Sequence, residues 1–343
     1  MNFEYKRKKV EDLTELEKQV WDSLFTEWEN FNSPFLSRYF TSVVSKLVKN
    51  VYITVFYNKG KPVAFFPYQY SSLISKCWGI AQRVGSHMND CFGIVCYPDF
   101  FIDPRTLLTA SKINGIYFEG LDESQQRFGL KGDTKDVGWK IDLSEGIDAY
   151  FKNLYEKEKK YYKKTSRRRK KIERDYGALN LKFYFNLKEG KSELDRLVEY
   201  KSKQYISSGK KNIFKTSWKK ALLYNLLDSP YDGCSGILAV LCAGNNWVAS
   251  YYGLKSYFKL QGWFPVYNPD FRKYAPGHLL YWSIIENSQK IGVKLIDRGI
   301  GDSPVKRVLG NRQTHYLRDV WFKKNLRGII YRTLLSLKWR FLG

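Results

Sequence analysis

Two stretches rich in β-branched and aromatic residues, 51–57 and 62–68, flank Asn58-Lys59-Gly60-Lys61 and read as a β-hairpin. A further strand is expected at 91–96, a short helix opened by Pro104, and another strand at 115–121. The same order returns in the second half. Residues 236–243 and 247–254 flank Gly244-Asn245-Asn246, a second hairpin. Residues 259–267 then read as a strand, 279–291 as a helix with Leu280, Ile284 and Ile291 at helical spacing, and 293–297 as a strand. A last strand is expected at 318–322. This repetition predicts an α/β chain with mixed sheets, built as two related lobes in tandem. Identity between the copies is slight, so two unrelated α/β halves is the alternative.

Between the lobes, residues 146–176 read as a helical connection. Phe151, Leu154, Tyr155, Tyr162, Thr165 and Ile172 keep a rough helical spacing on one face. Lysines 157, 159, 160, 163 and 164 and Arg167-Arg168-Arg169-Lys170-Lys171 crowd the other. Two more helices are expected at 192–207 and 217–227. The tail 329–342 is apolar and basic, suited to an amphipathic helix with peripheral membrane contact. The expected domains are 1–144, 145–325 and the tail 326–343.

With 343 residues, 43% hydrophobic and 17% aromatic, the chain buries real cores and is not disordered. Its formal charge of +24 calls for an anionic partner: nucleic acid, an anionic membrane face or a phosphate-rich small molecule. The basic run 157–171 resembles a nucleic-acid stripe, but such runs are more often solvated helix faces, and no nucleic acid is expected. Five cysteines without a CxxC pair, and only three histidines, predict no metal site and a reduced, cytoplasmic setting. The charged N-terminus and the lack of a long apolar run predict neither a signal peptide nor a membrane span.

The informative segment is Tyr267-Asn268-Pro269-Asp270-Phe271-Arg272-Lys273-Tyr274-Ala275-Pro276-Gly277-His278, between a strand and a helix. A helix start offers N–H groups and a positive dipole end, Gly277 permits close approach, and Arg272 and Lys273 add charge. The residues alone point to phosphate binding, with ordinary capping as the alternative. A second cluster, Asp297-Arg298-Gly299-Ile300-Gly301-Asp302, ends the next strand, where ligands bind in open α/β sheets. Asp297 and Asp302 there can orient an amine or take its proton, and Lys306 and Arg307 can hold phosphate. A solvated turn is the alternative.

These segments, with Ser33-Pro34-Phe35, Pro62-Val63-Ala64-Phe65-Phe66-Pro67 and the basic helix ending Lys171-Ile172-Glu173-Arg174, resemble the GNAT acyltransferase superfamily. The likeness is to its CelD-like branch beside the FemAB transferases, which includes sugar N-acyltransferases such as FdhC. It implies two GNAT-like lobes, with acyl-CoA as co-substrate in the second and the acceptor between them. Phe264, Val266 and Tyr267 would pair with the pantetheine arm, and Arg272, Lys273, Tyr274, Ala275, Pro276, Gly277 and His278 would hold the diphosphate. The usual superfamily loop, R/Q-x-x-G-x-G/A, is altered here, because four residues separate Arg272 from Gly277. A neutral amine attacks a thioester directly, so orientation, oxyanion donors and a proton acceptor suffice. Asp297 is the first candidate base, with His278 and Tyr281 as alternatives. Tyr251, Trp263, Asp297, Arg298, Asp302 and Lys306 are the substrate-side candidates. The branch implies N-acylation of a nucleotide-linked amino sugar, such as a dTDP-aminodeoxyhexose, for surface polysaccharide. The competing expectations are a FemAB-type aminoacyl-tRNA transferase and a non-enzymatic nucleic-acid or membrane-binding protein.

Overall fold

A computed structural model describes residues 3–27, 33–228 and 234–342, with 338–342 as backbone only. The chain forms two compact units, Met1–Val137 with Thr314–Gly343, and Gly138–Gln313. These limits differ from the expected divisions at 144 and 325, because the C-terminal strand and helix pack with the first unit.

The first unit opens with β1 (Glu4–Lys8), α1 (Glu15–Glu27) and α2 (Arg38–Leu47), followed by the hairpin β2 (Val51–Asn58) and β3 (Lys61–Tyr70). Then come α3 (Leu73–Trp78), β4 (Ile80–Gln82), β5 (Val95–Cys96), α4 (Pro104–Ala110) and β6 (Gly115–Asp122). Helix α1 buries Trp21, Leu24 and Phe25 on one face, and its Glu17 is held by Lys8 Nζ at 2.7 Å. The Ser37 hydroxyl caps α2 by accepting from the Phe40 N–H.

The second unit takes most of β7 (Thr134–Asp142), then α5 (Ile147–Lys157), α6 (Lys159–Tyr176), β8 (Leu179–Tyr184), α7 (Leu187–Ser207) and α8 (Ser217–Asp228). There follow β9 (Ser235–Ala243), β10 (Asn246–Ser256), β11 (Lys259–Tyr267), α9 (Pro276–Glu286), β12 (Leu295–Ile300) and α10 (Pro304–Leu309). Its core joins Ile141, Leu241, Tyr251, Leu280, Ile284 and Ile296. The chain then returns to the first unit through β13 (Arg312–Phe322) and α11 (Leu326–Leu342).

Strand order shows the duplication that residue identity hides. Within the first unit the strands run β1-β2-β3-β4-β6-β13, antiparallel except for β4–β6, with β5 pairing β3 beside this path. Within the second they run β8-β9-β10-β11-β12-β7, antiparallel except for β11–β12. Apart from β5, the two orders match strand for strand and sense for sense. Each is completed from the other half of the chain: β7 follows β6 but lies on β12, and β13 follows β12 but lies on β6.

Several expectations change. The helical connection 146–176 breaks at Glu158 into α5 and α6. The strand expected at 91–96 shrinks to Val95–Cys96. The strand expected at 293–297 starts at Leu295 and runs to Ile300, so Asp297 to Ile300 are strand and not turn.

Candidate functional site

Strands β11 and β12 pair in parallel at only three positions, Lys259↔Leu295, Leu260↔Ile296 and Gln261↔Asp297, and then part. The cause is local. Against β10, strand β11 carries one extra residue, Trp263, between the pairs Gly253↔Gly262 and Tyr252↔Phe264. Such a bulge bends the strand and increases its twist. Gly262 sits in the fork, where a Cβ would lie 3.0 Å from the Asp297 carbonyl and 3.1 Å from the Tyr251 hydroxyl. Along Pro265, Val266 and Tyr267 the edge of β11 that faced β12 has no strand partner among the described residues. Pro265 is tolerated in this strand because its missing N–H is not needed where the edge has no strand partner; its carbonyl accepts from Lys201 Nζ at 3.1 Å. At that position the edge offers an acceptor and no donor.

The fork opens onto a cavity of about 400 Å³. Its walls include Val266 and Tyr267 of β11, Arg272, Ala275 and Pro276 of the loop, Gly277, His278 and Tyr281 of α9, and Arg298 of β12. Helix α9 starts without a side-chain cap. Pro276 has no N–H, while the N–H groups of Ala275 and His278 go to the carbonyls of Arg272 and Ala275. The Gly277 N–H is thus left without an acceptor among the described residues in the first turn, at the positive end of the helix. Gly277 has no atom within 4 Å of where a Cβ would stand, so nothing in the protein demands glycine there. Ala275 holds a left-handed φ of 53° to turn the loop into the helix. Ala275→Gly should therefore raise stability by about 1 kcal/mol in denaturant unfolding, since the strained conformation suits glycine.

Among the charged side chains of the cavity Arg298 is buried, whereas Arg272 is exposed. Arg298 donates to the Val305 carbonyl at 2.7 Å and lies 4.3 Å over the Tyr281 ring, while its buried Nε has no partner. His278 Nδ1 is 3.0 Å from the Tyr161 hydroxyl of α6. Burial, then the charges of Arg168, Arg298 and Lys164, hold its pKa below the usual imidazole value, so it is neutral at pH 7. Burial, with Lys210 nearby, brings Lys201 down to about 8.

Of the expected cofactor residues, Val266, Tyr267, Arg272, Ala275, Pro276, Gly277 and His278 meet around this cavity, with Arg298 from the substrate-side set. The others lie elsewhere. The Phe264 ring packs against Phe214 and stacks on Trp263, the bulged residue. Lys273 lies over the Tyr274 ring, and Tyr274 is buried with its hydroxyl on Asp175 at 2.6 Å. Tyr251 is a core residue. Asp302 is exposed and pairs with Arg307 at 2.6 Å, and Lys306 Nζ donates to the carbonyls of Gly299 and Ile300.

Asp297 stands in the core instead of the cavity. It is 1% exposed, 3.2 Å from Lys259 Nζ and 4.0 Å from Lys140 Nζ, and accepts the Gly299 N–H at 2.8 Å. Burial alone would raise its pKa, but Lys259, Lys140 and the Gly299 N–H outweigh that and hold it near about 2. So firmly ionised and enclosed a carboxylate is a poor proton acceptor, and its place is that of an electrostatic pin at the fork. Lys201 and Gln204 of α7, and Tyr161, belong to the site or border it without any motif that announces them.

The matching gap of the first sheet is closed by its own chain. Strand β4 pairs with β6 at Ile80↔Gly115 and Ala81↔Ile116 only. Beyond that, Phe92 bridges to Leu121 and its N–H donates to the Gly120 carbonyl at 2.9 Å. The Gln125 amide bonds Ile94 in both directions, at 3.0 Å each way, in place of a strand neighbour. Gln125→Leu would orphan both Ile94 groups and should cost about 2 kcal/mol in unfolding experiments, with acyl transfer unaffected.

Residues 159–307 match the acetyltransferase (GNAT) domain family. No curated protein sequence matches the chain. In structure, the chain is similar to FemX at 10% identity and a TM-score of 0.60, covering 96% of this chain and 99% of that one. It is similar to the C-terminal domain of a putative lysylphosphatidylglycerol synthetase from Agrobacterium fabrum at 10% identity and a TM-score of 0.52, covering 87% and 92%. It is also similar to a conserved protein of unknown function from Bacteroides thetaiotaomicron at 11% identity and a TM-score of 0.50, covering 92% and 98%. The forked parallel strands, the bulge and the family match agree: this is a mixed α/β chain of GNAT fold, with two GNAT-like lobes.

Proposed function

We propose that the chain is an acyl-CoA-dependent N-acyltransferase whose acceptor is the amine of a nucleotide-linked amino sugar. The observation that carries this reading is the free edge of β11, which leads from the fork to the start of α9. An extended pantetheine arm has amides suited to such an edge, and a diphosphate suits Gly277 N–H, Arg272 and the positive helix end. The acyl thioester would then lie near Arg298 and His278. A neutral amine attacks the thioester carbon, the C–N bond forms and the C–S bond breaks. His278, neutral at pH 7, takes the amine proton and passes it to the departing thiolate, leaving amide and free thiol. Arg298, with its unsatisfied Nε, supplies charge for the developing oxyanion. The excess of basic residues supports an acceptor that also carries phosphate, as a dTDP-linked aminodeoxyhexose does.

Thiol release from a panel of acyl-CoAs, each mixed with a panel of amino-sugar nucleotides, tests the reading. It predicts release that requires both partners, and no release with any pair would refute it. His278→Gln should lower kcat by about 100-fold while leaving the affinity for acyl-CoA within about twofold. The wild type should lose turnover as pH falls below the imidazole range, because protonated His278 cannot accept a proton. The variant should lack that acid limb.

A second reading, aminoacyl transfer from a charged tRNA, is favoured by the basic face of α6, from Lys159 to Lys171. It predicts an aminoacyl product in place of thiol release.

A further inference from the structure

Helix α3 has no buried residue: Leu73 is 70% exposed, Ile74 74% and Trp78 42%. Helix α11 exposes Leu326 (76%), Ile329 (50%), Leu334 (60%) and Leu337 (42%). With Ile330, these α11 positions fall within an arc of about 140° at helical periodicity. The opposite side of α11 packs inward, where Tyr331 lies so close to Gly115 that a Cβ there would sit 2.2 Å from its ring. The two exposed faces are joined. Arg327 of α11 donates to the Cys77 carbonyl of α3 at 2.9 Å. Asn114 donates to the Trp78 carbonyl at 2.7 Å and receives Asn325 at 3.0 Å. These bonds tie the two helices, each with an exposed apolar face, together on the first unit.

The charges carried by these two segments have a single sign, while Asp133 and Asp319 line a cavity with Arg332 of α11. No Asp or Glu occurs from Ser71 to Arg83, or from Val320 to the end of the chain, whereas Lys76, Lys323, Lys324, Arg327 and Arg332 do. A large exposed apolar patch marks an interaction surface. Leucine, isoleucine and tryptophan ringed by lysine and arginine fit the interface of an anionic bilayer, where the rings and alkyl chains enter the headgroup region and the cations meet lipid phosphate. Among the described residues no helix is long and apolar enough to cross a membrane, so α11 would lie along the surface. The lysines and arginines that these two helices carry beside their apolar residues suit lipid phosphate.

We propose that the first unit docks on anionic membrane surfaces through α3 and α11, placing this enzyme beside lipid. The proposal does not depend on the acyl-transfer reading, since it concerns the other unit. The test uses the full chain and vesicles of phosphatidylcholine with or without one quarter phosphatidylglycerol. Binding is read by flotation and by an environment-sensitive dye on Cys77, the exposed one of the five cysteines. The wild type should bind anionic vesicles, shift the dye to the blue, and ignore neutral ones. Ile74→Glu with Leu326→Glu, both at highly exposed positions, should weaken binding by at least about tenfold without moving the thermal transition. Lys159→Glu with Lys160→Glu, on α6 of the second unit, should leave it unchanged. The proposal falls if the wild type ignores anionic vesicles, or if only the α6 variant loses them. It also falls if the α3/α11 variant dissolves a dimer of the wild type while neither binds lipid.

Discussion

Replacing Gly277 with valine should reduce acyl-CoA turnover by about 100-fold while leaving the stability of the protein intact. Helix α9 places Gly277 at its second position, with open space where a side chain would stand. Valine therefore meets no protein atom, and a helix accepts valine more readily than glycine. What it would meet is the ligand of the proposed reading. Its methyl groups would cover the Gly277 N–H and push a bound diphosphate outward, and a displacement on the order of 1 Å costs about 100-fold in rate. Gly277→Ala should fall between, with a stability gain of about 0.5 kcal/mol. Steady-state thiol release and thermal unfolding of the same samples check both halves. A glycine kept for folding alone would give the reverse result.

Replacing Asp297 with asparagine should destabilise the protein by about 3–5 kcal/mol, because it leaves Lys259 and Lys140 buried without their counter-charge. The sign of its pH dependence follows from the depressed pKa. The folded carboxyl titrates near about 2, below its usual 3.8. Its contribution is therefore complete above about pH 4 and is lost as pH falls toward 2. Urea unfolding should show a constant gap between wild type and variant from pH 7 to pH 4, narrowing below that. Were Asp297 instead the catalytic base, the variant would keep its stability and lose turnover alone.

Much of the second unit could be read from the residues, because hairpins and strand–helix alternation write themselves as local periodicity. The hairpin turn at Gly244-Asn245-Asn246 and strand β11 from Lys259 to Tyr267 stand where that periodicity puts them, while the helix expected at 279–291 runs from Pro276 to Glu286. Strand β7 carries a strand's alternation, Val137, Trp139 and Ile141 against Asp136, Gly138 and Lys140, but its partner β12 lies more than a hundred residues away, so nothing local places it. Nothing local distinguishes Asp297 as a base from Asp297 as the partner of Lys140 and Lys259. That choice is made by burial and by a strand exchange. Lys201, Gln204 and Tyr161 were silent for the same reason: they reach the cavity from helices whose sequences read as ordinary solvated faces. The closed fork of the first unit was equally hidden, since Phe92 and Gln125 act through pairings that only the folded chain creates.

The central claim is that the fork between β11 and β12 holds a CoA thioester. Calorimetric titration of the full chain with acetyl-CoA, beside Gly277→Val and at low and high salt, tests it most directly. The account predicts binding by the wild type at micromolar concentration, weakened by salt because the diphosphate contacts are ionic, and lost in the variant. Absence of binding at millimolar acetyl-CoA, or equal binding by wild type and variant, would contradict it.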